Sequence, residues 1–361
     1  MNPISGERIR WEQRWHPLRR EWIVIAAHRN ERPWTGEREG VAVRPPSYDP
    51  QCYLCPGNYR ASGERNPDYT SVYVFDNDFP VVALQAPEIA EVMGGVQRRR
   101  AARGIARVIC YDPRHNVHLA DLPPDATCRV LRSWREQDLE LSRVEGIRHV
   151  LFFENRGETV GVSNPHPHCQ LYAVDFVFHL VEHEIEACSD YSRQTGRSLF
   201  EAILDAELES GERVIAANEH AVAFVPYFAR YAYEIMIVPR AERASLACMT
   251  DAELDGMAHL FHRVVTLYDG LWKIPFPYVL AVHQAPYARA LNVGAPYGGA
   301  PHASAVPPGF RVHLEFQPPL RRPGLKKYLA GPEIGGGNFM SDTWPEEKAR
   351  ELRAVGEKSP R

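Results

Sequence analysis

The stretch VSNPHPHCQLYA, residues 162–173, sets two histidines, two prolines and a glutamine within six positions, ahead of an apolar tail. In an extended segment alternate side chains share a face. His166, His168 and Gln170 then point one way, and Pro165, Pro167 and Cys169 the other. Proline removes a ladder donor, so the segment is expected at a sheet edge or an opening, with one side free for a ligand. Just before it, RGETVGVSN (156–164) supplies backbone amides and hydroxyls of the kind that cradle phosphate oxygens. A single histidine on a strand is ordinarily a hydrogen-bonded structural residue. Two in strict alternation, fenced by prolines and followed by glutamine, point instead to a site.

Working outward, short β-branched and aromatic runs predict strands over 21–27, 71–77, 105–111, 149–155 and 168–174. A helix is expected over 124–146, where Val130, Leu131, Trp134, Leu139 and Leu141 form the apolar stripe, and a polar helical segment over 177–210. A second set of strands is expected over 212–220, 221–227, 233–240, 277–284 and 310–318. Between them, Thr250 and Glu253 form a capping-box pattern, and Leu254, Met257, Phe261, Val264, Leu267 and Tyr268 supply a buried helix face. Each half runs strand, turn, strand, helix, and closes on a strand pair bearing histidines. This order predicts an α+β fold, a duplicated antiparallel sheet with flanking helices, rather than a parallel doubly wound one. The halves divide as 1–195 and 196–361.

Bulk composition narrows the function. The chain has 361 residues, 44% hydrophobic and 24% charged, and a formal charge of −4. It lacks the broad basic surface of a general nucleic-acid binder, and the arginines of QRRRAAR near residue 100 read as a solvated loop. No apolar run resembles a membrane span, and the N-terminus has no apolar signal core, so a cytoplasmic protein without a membrane partner is expected. Seven scattered cysteines do not suggest a disulfide framework. CYLC (52–55) alone has purposeful spacing: it is a metal half-site that needs two more ligands, or else two unpaired thiols in a turn.

The 162–173 segment resembles the active-site strand of the galactose-1-phosphate uridylyltransferase family, a transferase branch of the histidine-triad superfamily. HRNERPW (28–34), CYLCPGN (52–58), NPDYTSVYVFDNDFP (66–80), ARGIARVICYDPRH (102–115), FENRG (153–157), FPYVLAVHQAP (276–286) and LKKYLAG (325–331) are similar to family segments, in family order. The resemblance covers roughly residues 15 to 335. It implies exchange of a uridylyl group between UDP-glucose and galactose 1-phosphate through a covalent uridylyl-histidine, with His168 as nucleophile and Gln170 as a donor to the phosphate. Glutamine is not titratable, whereas related hydrolases carry a third histidine there, so the pattern favours transfer over hydrolysis. An ADP-glucose phosphorylase shares the same motifs and is the alternative.

The resemblance further carries a structural zinc onto Cys52, Cys55, His115 and His166, with His118 as the rival to His115. A second family site holds iron or zinc on a glutamate and three histidines. It falls on Glu184, His283 and His313, and its third histidine is replaced by Glu315. Substrate-contact positions fall on Arg29, Arg32, Ala61, Asn77, Asp78, Asn155, Gly161, Val162, Ser163, Gln170, Lys327, Tyr328 and Glu333. Pro332 stands where the best-known branch has tyrosine. The acceptor-binding segment of the family is often lent across a homodimer, which is therefore expected here.

Overall fold

The computed structural model describes residues 11–31, 45–87, 89, 96, 99–287 and 309–358. The elements in chain order are strands β1 (Glu12–His16), β2 (Glu21–Ile25), β3 (Tyr73–Asp76) and β4 (Gly104–Cys110), helix α1 (Pro124–Leu141), and strands β5 (His149–Arg156) and β6 (His168–Val174). Helices α2 (His179–Thr195) and α3 (Leu199–Ser210) follow, then strands β7 (Val214–Ala217), β8 (Ala221–Phe224) and β9 (Ile235–Pro239), helix α4 (Asp251–Trp272), and strands β10 (Tyr278–His283) and β11 (His313–Gln317). The chain finishes with β12 (Leu320–Arg322), β13 (Leu325–Lys326), helix α5 (Gly331–Gly336), β14 (Met340–Ser341) and helix α6 (Pro345–Lys358).

Nine strands make one antiparallel sheet in the order β3-β4-β6-β5-β10-β11-β9-β8-β7. The two halves meet at its centre, where β5 pairs with β10 from Phe152↔Val282 to Arg156↔Tyr278. Strand, helix, strand, returning strand recurs as β4-α1-β5-β6 and β9-α4-β10-β11. α1 and α4 cover one face, burying Trp134, Phe261, Phe152, Leu171, Leu280 and Phe316 in the main core. On the other face α2 and α3 cover only the second half, through Val181, Phe200, Leu204, Phe224 and Met236. The first half of that face is met instead by the Cys52–Cys55 loop against Phe75, Val108 and Cys110. The alternation within β6 explains the division. Cys169, Leu171 and Ala173 are sealed in the main core, while His168, Gln170 and Tyr172 face away and are only half buried.

The structure corrects several local expectations. Of the edge and the opening expected for β6, the edge is excluded, since the strand lies between β4 and β5, and the opening is found where its pairing with β5 ends. The two prolines precede it, where a ladder donor is no longer needed. The helical segment 177–210 is two helices: Gly196 takes a left-handed conformation at the end of α2, and Ser198 caps α3 by accepting from the Glu201 amide. α1 stops at Leu141, and Leu139 of the expected stripe is exposed. The Thr250–Glu253 box forms with both of its hydrogen bonds. A small sheet, β1-β2-β14, and helix α6 against α4 were not anticipated from the pattern.

Candidate active site and metal centres

The site forms where β5 and β6 part. β6 pairs with β5 only as far as Phe153↔Gln170, whereas β5 continues along β10 through Asn155 and Arg156. The loop 157–167 crosses the gap. Gly157 (φ 92, ψ 150) and Gly161 (φ 83) shape it, and the first of these lies in backbone space essentially restricted to glycine. Phe153, Asn155, Gly161, Val162, Ser163, His168 and Gln170 line a small cavity on the open face. Asn155, Val162 and His168 also border a larger cavity of about 440 Å³, reaching Glu154, Arg156, His118 and Lys273.

His168 is held by its backbone neighbour: Nδ1 donates to the His166 carbonyl at 2.7 Å. A carbonyl can only accept, so the proton sits on Nδ1 and Nε2 keeps its lone pair. Burial pushes the imidazole below its usual pKa, against the opposing effect of that hydrogen bond. The ring is therefore neutral at pH 7, as a nucleophile requires. Gln170 Oε1 accepts from Asn77 Nδ2 at 3.4 Å, which leaves the Gln170 amide donors to face elsewhere. Beside them Asp78 accepts from the Ser62 amide at 3.2 Å, and Ala61 is exposed in the same loop. Arg60, which sequence reasoning missed, lies 4.6 Å over the Phe75 ring and 3.8 Å from Asp78. Phe153, also missed, stands edge-on to Tyr172 at 4.8 Å. Phe153 stands two residues before Asn155 on β5, so strand alternation could have found it, and Arg60 is the neighbour of Ala61, while its contact with Phe75 depends on the fold.

Four of the expected substrate-contact positions, Arg29 for the phosphates and Lys327, Tyr328 and Glu333 for the hexose, lie elsewhere. Lys327 Nζ pairs with Glu333 at 2.7 Å and lies 4.8 Å over Phe339, Tyr328 is exposed, and Arg29 faces Asp342 at 3.3 Å. None of the four lines either cavity at His168. Arg32 lies outside the described residues.

His166 is placed differently from His168. With Cys52, Cys55 and His115 it forms a buried group whose ligand atoms all lie within 4.8 Å of one another. Cys55 Sγ is 3.5 Å from His166 Nδ1 and 3.6 Å from His115 Nδ1. His166 Nε2 donates to the Asp112 carbonyl at 3.0 Å, so Nδ1 is the free ligand atom, and the Leu54 amide donates to Cys52 Sγ at 3.3 Å. Burial raises the Cys55 thiol and lowers His166 to about 4, so this buried pocket favours neutral groups unless a cation displaces the thiol protons. Two thiols, two imidazoles and an outer contact for each kind fit a closed tetrahedral ion. His118 is not in the group.

Glu184 of α2, His283 of β10, and His313 and Glu315 of β11 make a second buried group with the same 4.8 Å spread. Glu184 meets His283 Nδ1 at 2.8 Å. His313 Nδ1 donates to the Arg311 carbonyl at 2.9 Å, while its Nε2 is buried without a hydrogen-bond partner. That orphaned lone pair, aimed between two carboxylates, fits a cation-binding position. Among the described residues no helix is long and apolar enough to cross a membrane.

Comparison with known proteins identifies the family. The family models for galactose-1-phosphate uridyl transferase match here in sequence order, the N-terminal domain over residues 5–177 and the C-terminal domain over 184–360. Galactose-1-phosphate uridylyltransferase of Haemophilus influenzae is 34% identical over 96% of this chain and 94% of its own, and that of Rattus norvegicus 33% over 95% and 87%. A solved uridylyltransferase structure superposes with a TM-score of 0.73 at 28% identity, covering 96% of this chain and 99% of the other. An ADP-glucose phosphorylase from Arabidopsis thaliana has the same fold, with a TM-score of 0.72 at 20% identity, covering 95% and 98%. The chain belongs to the galactose-1-phosphate uridyl transferase family.

Proposed function

We propose that this enzyme moves a uridylyl group between UDP-glucose and galactose 1-phosphate in two steps through His168. The observation that carries the reading is the His168 ring itself, with Nδ1 committed to the His166 carbonyl and Nε2 free at a cavity beside the 161–163 loop. In the first step Nε2 bonds to the α-phosphorus as the bond to the leaving glucose 1-phosphate oxygen breaks. The leaving group is a phosphate whose second pKa is about 6, so it departs without a general acid. Charge on the non-bridging oxygens is met by the Gln170 amide and the loop amides around Val162 and Ser163. In the second step the phosphate oxygen of galactose 1-phosphate attacks phosphorus, the P–N bond breaks, and neutral His168 is restored.

In the same reading Asn77 and Asp78 contact the nucleoside, with Ala61 beside them, and Asn155 and Gly161 flank the phosphates. Zinc on Cys52, Cys55, His115 and His166 is structural, tying the 52–55 loop to the start of β6. A second zinc or iron ion belongs to Glu184, His283, His313 and Glu315. The N-terminal half, 1–195, carries the nucleophile, and the C-terminal half, 196–361, carries the acceptor-binding segment. Arg29, Lys327, Tyr328 and Glu333 stand apart from His168 in one chain, which supports a homodimer in which each copy completes the other's site. The protein is expected in the cytoplasm.

The test is intact-mass analysis after incubation with UDP-glucose alone. A uridylyl adduct on His168, absent in His168→Gly and discharged by galactose 1-phosphate, is the expected result. Folded protein that forms no adduct rejects the reading, and an adduct from ADP-glucose alone, discharged by inorganic phosphate, transfers it to the phosphorylase.

A further inference from the structure

The second buried group departs from a glutamate-and-three-histidine pattern at Glu315, and the structure shows what accompanies that departure. Glu315 brings a negative charge where an imidazole would be neutral. Arg19, from the turn between β1 and β2, brings a positive one. Its Nη2 lies 2.6 Å from Glu315 Oε2, with side-chain exposures of 4% and 2%. The pair taken together is neutral, as a neutral imidazole is.

Its geometry is equally specific. Gln317 Nε2 donates to the same Oε2 at 3.1 Å, so that oxygen is engaged from outside the group. Oε1 is the oxygen turned inward, 3.7 Å from His313 Nε2. The unpartnered His313 Nε2 is also 3.8 Å from Glu184. The turn that carries Arg19 is anchored on both sides. Leu18 is fully buried, while Arg20, in a left-handed conformation (φ 56), turns outward onto Asp190 and Glu186 of α2, the helix that supplies Glu184. Contacts of this kind orient metal ligands, and changing them typically costs about 10- to 100-fold in metal affinity.

We propose that the Arg19–Glu315 ion pair serves as one charge-neutral ligand for a divalent cation held with Glu184, His283 and His313. Arg19 is a positioning residue: it selects which carboxylate oxygen faces the ion and cancels the charge that Glu315 adds. Two carboxylates and two imidazoles suit borderline ions such as Zn²⁺ or Fe²⁺. The coupling has a sharp consequence. Histidine at 315 alone supplies the third imidazole yet leaves Arg19 buried beside the ion without the carboxylate it hydrogen-bonds, with only the more distant charges of Glu184, Glu234 and Glu21 to offset it.

The experiment measures metal per chain by mass spectrometry in the purified full-length wild type, His313→Ala, Glu315→His and the double variant Arg19→Thr/Glu315→His. His313→Ala and Glu315→His are each expected to hold one equivalent fewer than wild type, and the double variant to recover it. Metal content unchanged by His313→Ala, retained or raised in Glu315→His, or not recovered in the double variant overturns the proposal. Should Glu315→His precipitate, the His313→Ala loss and a double variant matching wild type still decide it. The second cation belongs to the proposed function, but the counts do not depend on His168. Failure of the uridylyl transfer reading appears separately, as a missing adduct with the counts intact.

Discussion

Replacing Glu154 with glutamine should stabilise the protein relative to wild type by an amount that grows steadily from mild acid to alkaline pH. The Glu154 side chain is buried between the Tyr111 hydroxyl, which donates at 2.9 Å, and the Tyr278 hydroxyl at 3.3 Å, one residue before Asn155. Burial pushes its pKa up to about 7, with Arg156 and the two hydroxyls opposing the rise. An unfolded glutamate titrates near ~4.3. The folded state therefore binds more protons than the unfolded state between those values, and this group's contribution to stability falls as pH rises through that window. With a folded value near 7, linkage gives a loss of about 2.5 kcal/mol between pH 5 and pH 8. The amide introduced by Glu154→Gln keeps an acceptor for the tyrosine hydroxyls and does not ionise. Urea unfolding of both proteins at pH 5, 6, 7 and 8 reads the difference directly, because other carboxylates cancel between them. The variant should gain on wild type by about 2.5 kcal/mol across the series. Parallel curves would refute the reasoning, since they would mean that Glu154 is solvated or already paired strongly enough to ionise normally.

Two further expectations concern the reacting centre and its loop. Gln170→Ala should lower kcat about 10²- to 10³-fold with little change in folding, measured by single-turnover release of glucose 1-phosphate, as loss of one preorganised donor does. A near-normal rate would show that the loop amides carry the phosphate alone. Gly157→Ala should cost about 1–3 kcal/mol by thermal unfolding, because its φ of 92 and ψ of 150 suit glycine and a Cβ would lie 2.9 Å from Pro277 Cβ. An unchanged midpoint would mean that the loop relaxes freely.

Much of the site was legible because its signals are local. The histidines and glutamine around β6, the CxxC half-site and the capping box on α4 are each defined by spacings of two to four residues. The pleat and the helical turn translate such spacings directly into shared faces. Other features had no local carrier. Proline in the active segment pointed to a sheet edge or an opening without choosing between them; the sheet is continuous on both sides of β6, and the opening arises because β5 leaves β6 to follow β10. Gly196 lies in the middle of an otherwise helical run, and its left-handed conformation, rather than the apolar period, divides α2 from α3. Arg60 reached its place over Phe75 only through the fold, whereas Phe153 follows from alternation with Asn155 along β5.

The amino-acid pattern alone pointed to the α+β plan, the His-x-His-x-Gln face and the CxxC half-site, since each rests on residue type and short spacing, while the assignment of the nucleophile and the remaining metal-ligating positions came from the family resemblance. Tertiary structure decided which nitrogen of His168 is free, because that depends on a carbonyl brought to 2.7 Å by the turn into β6. It also decided that Arg19 answers Glu315, a pairing across 296 residues of chain. Charge compensation in a buried pocket depends on distance in space, and separation along the chain carries no record of it.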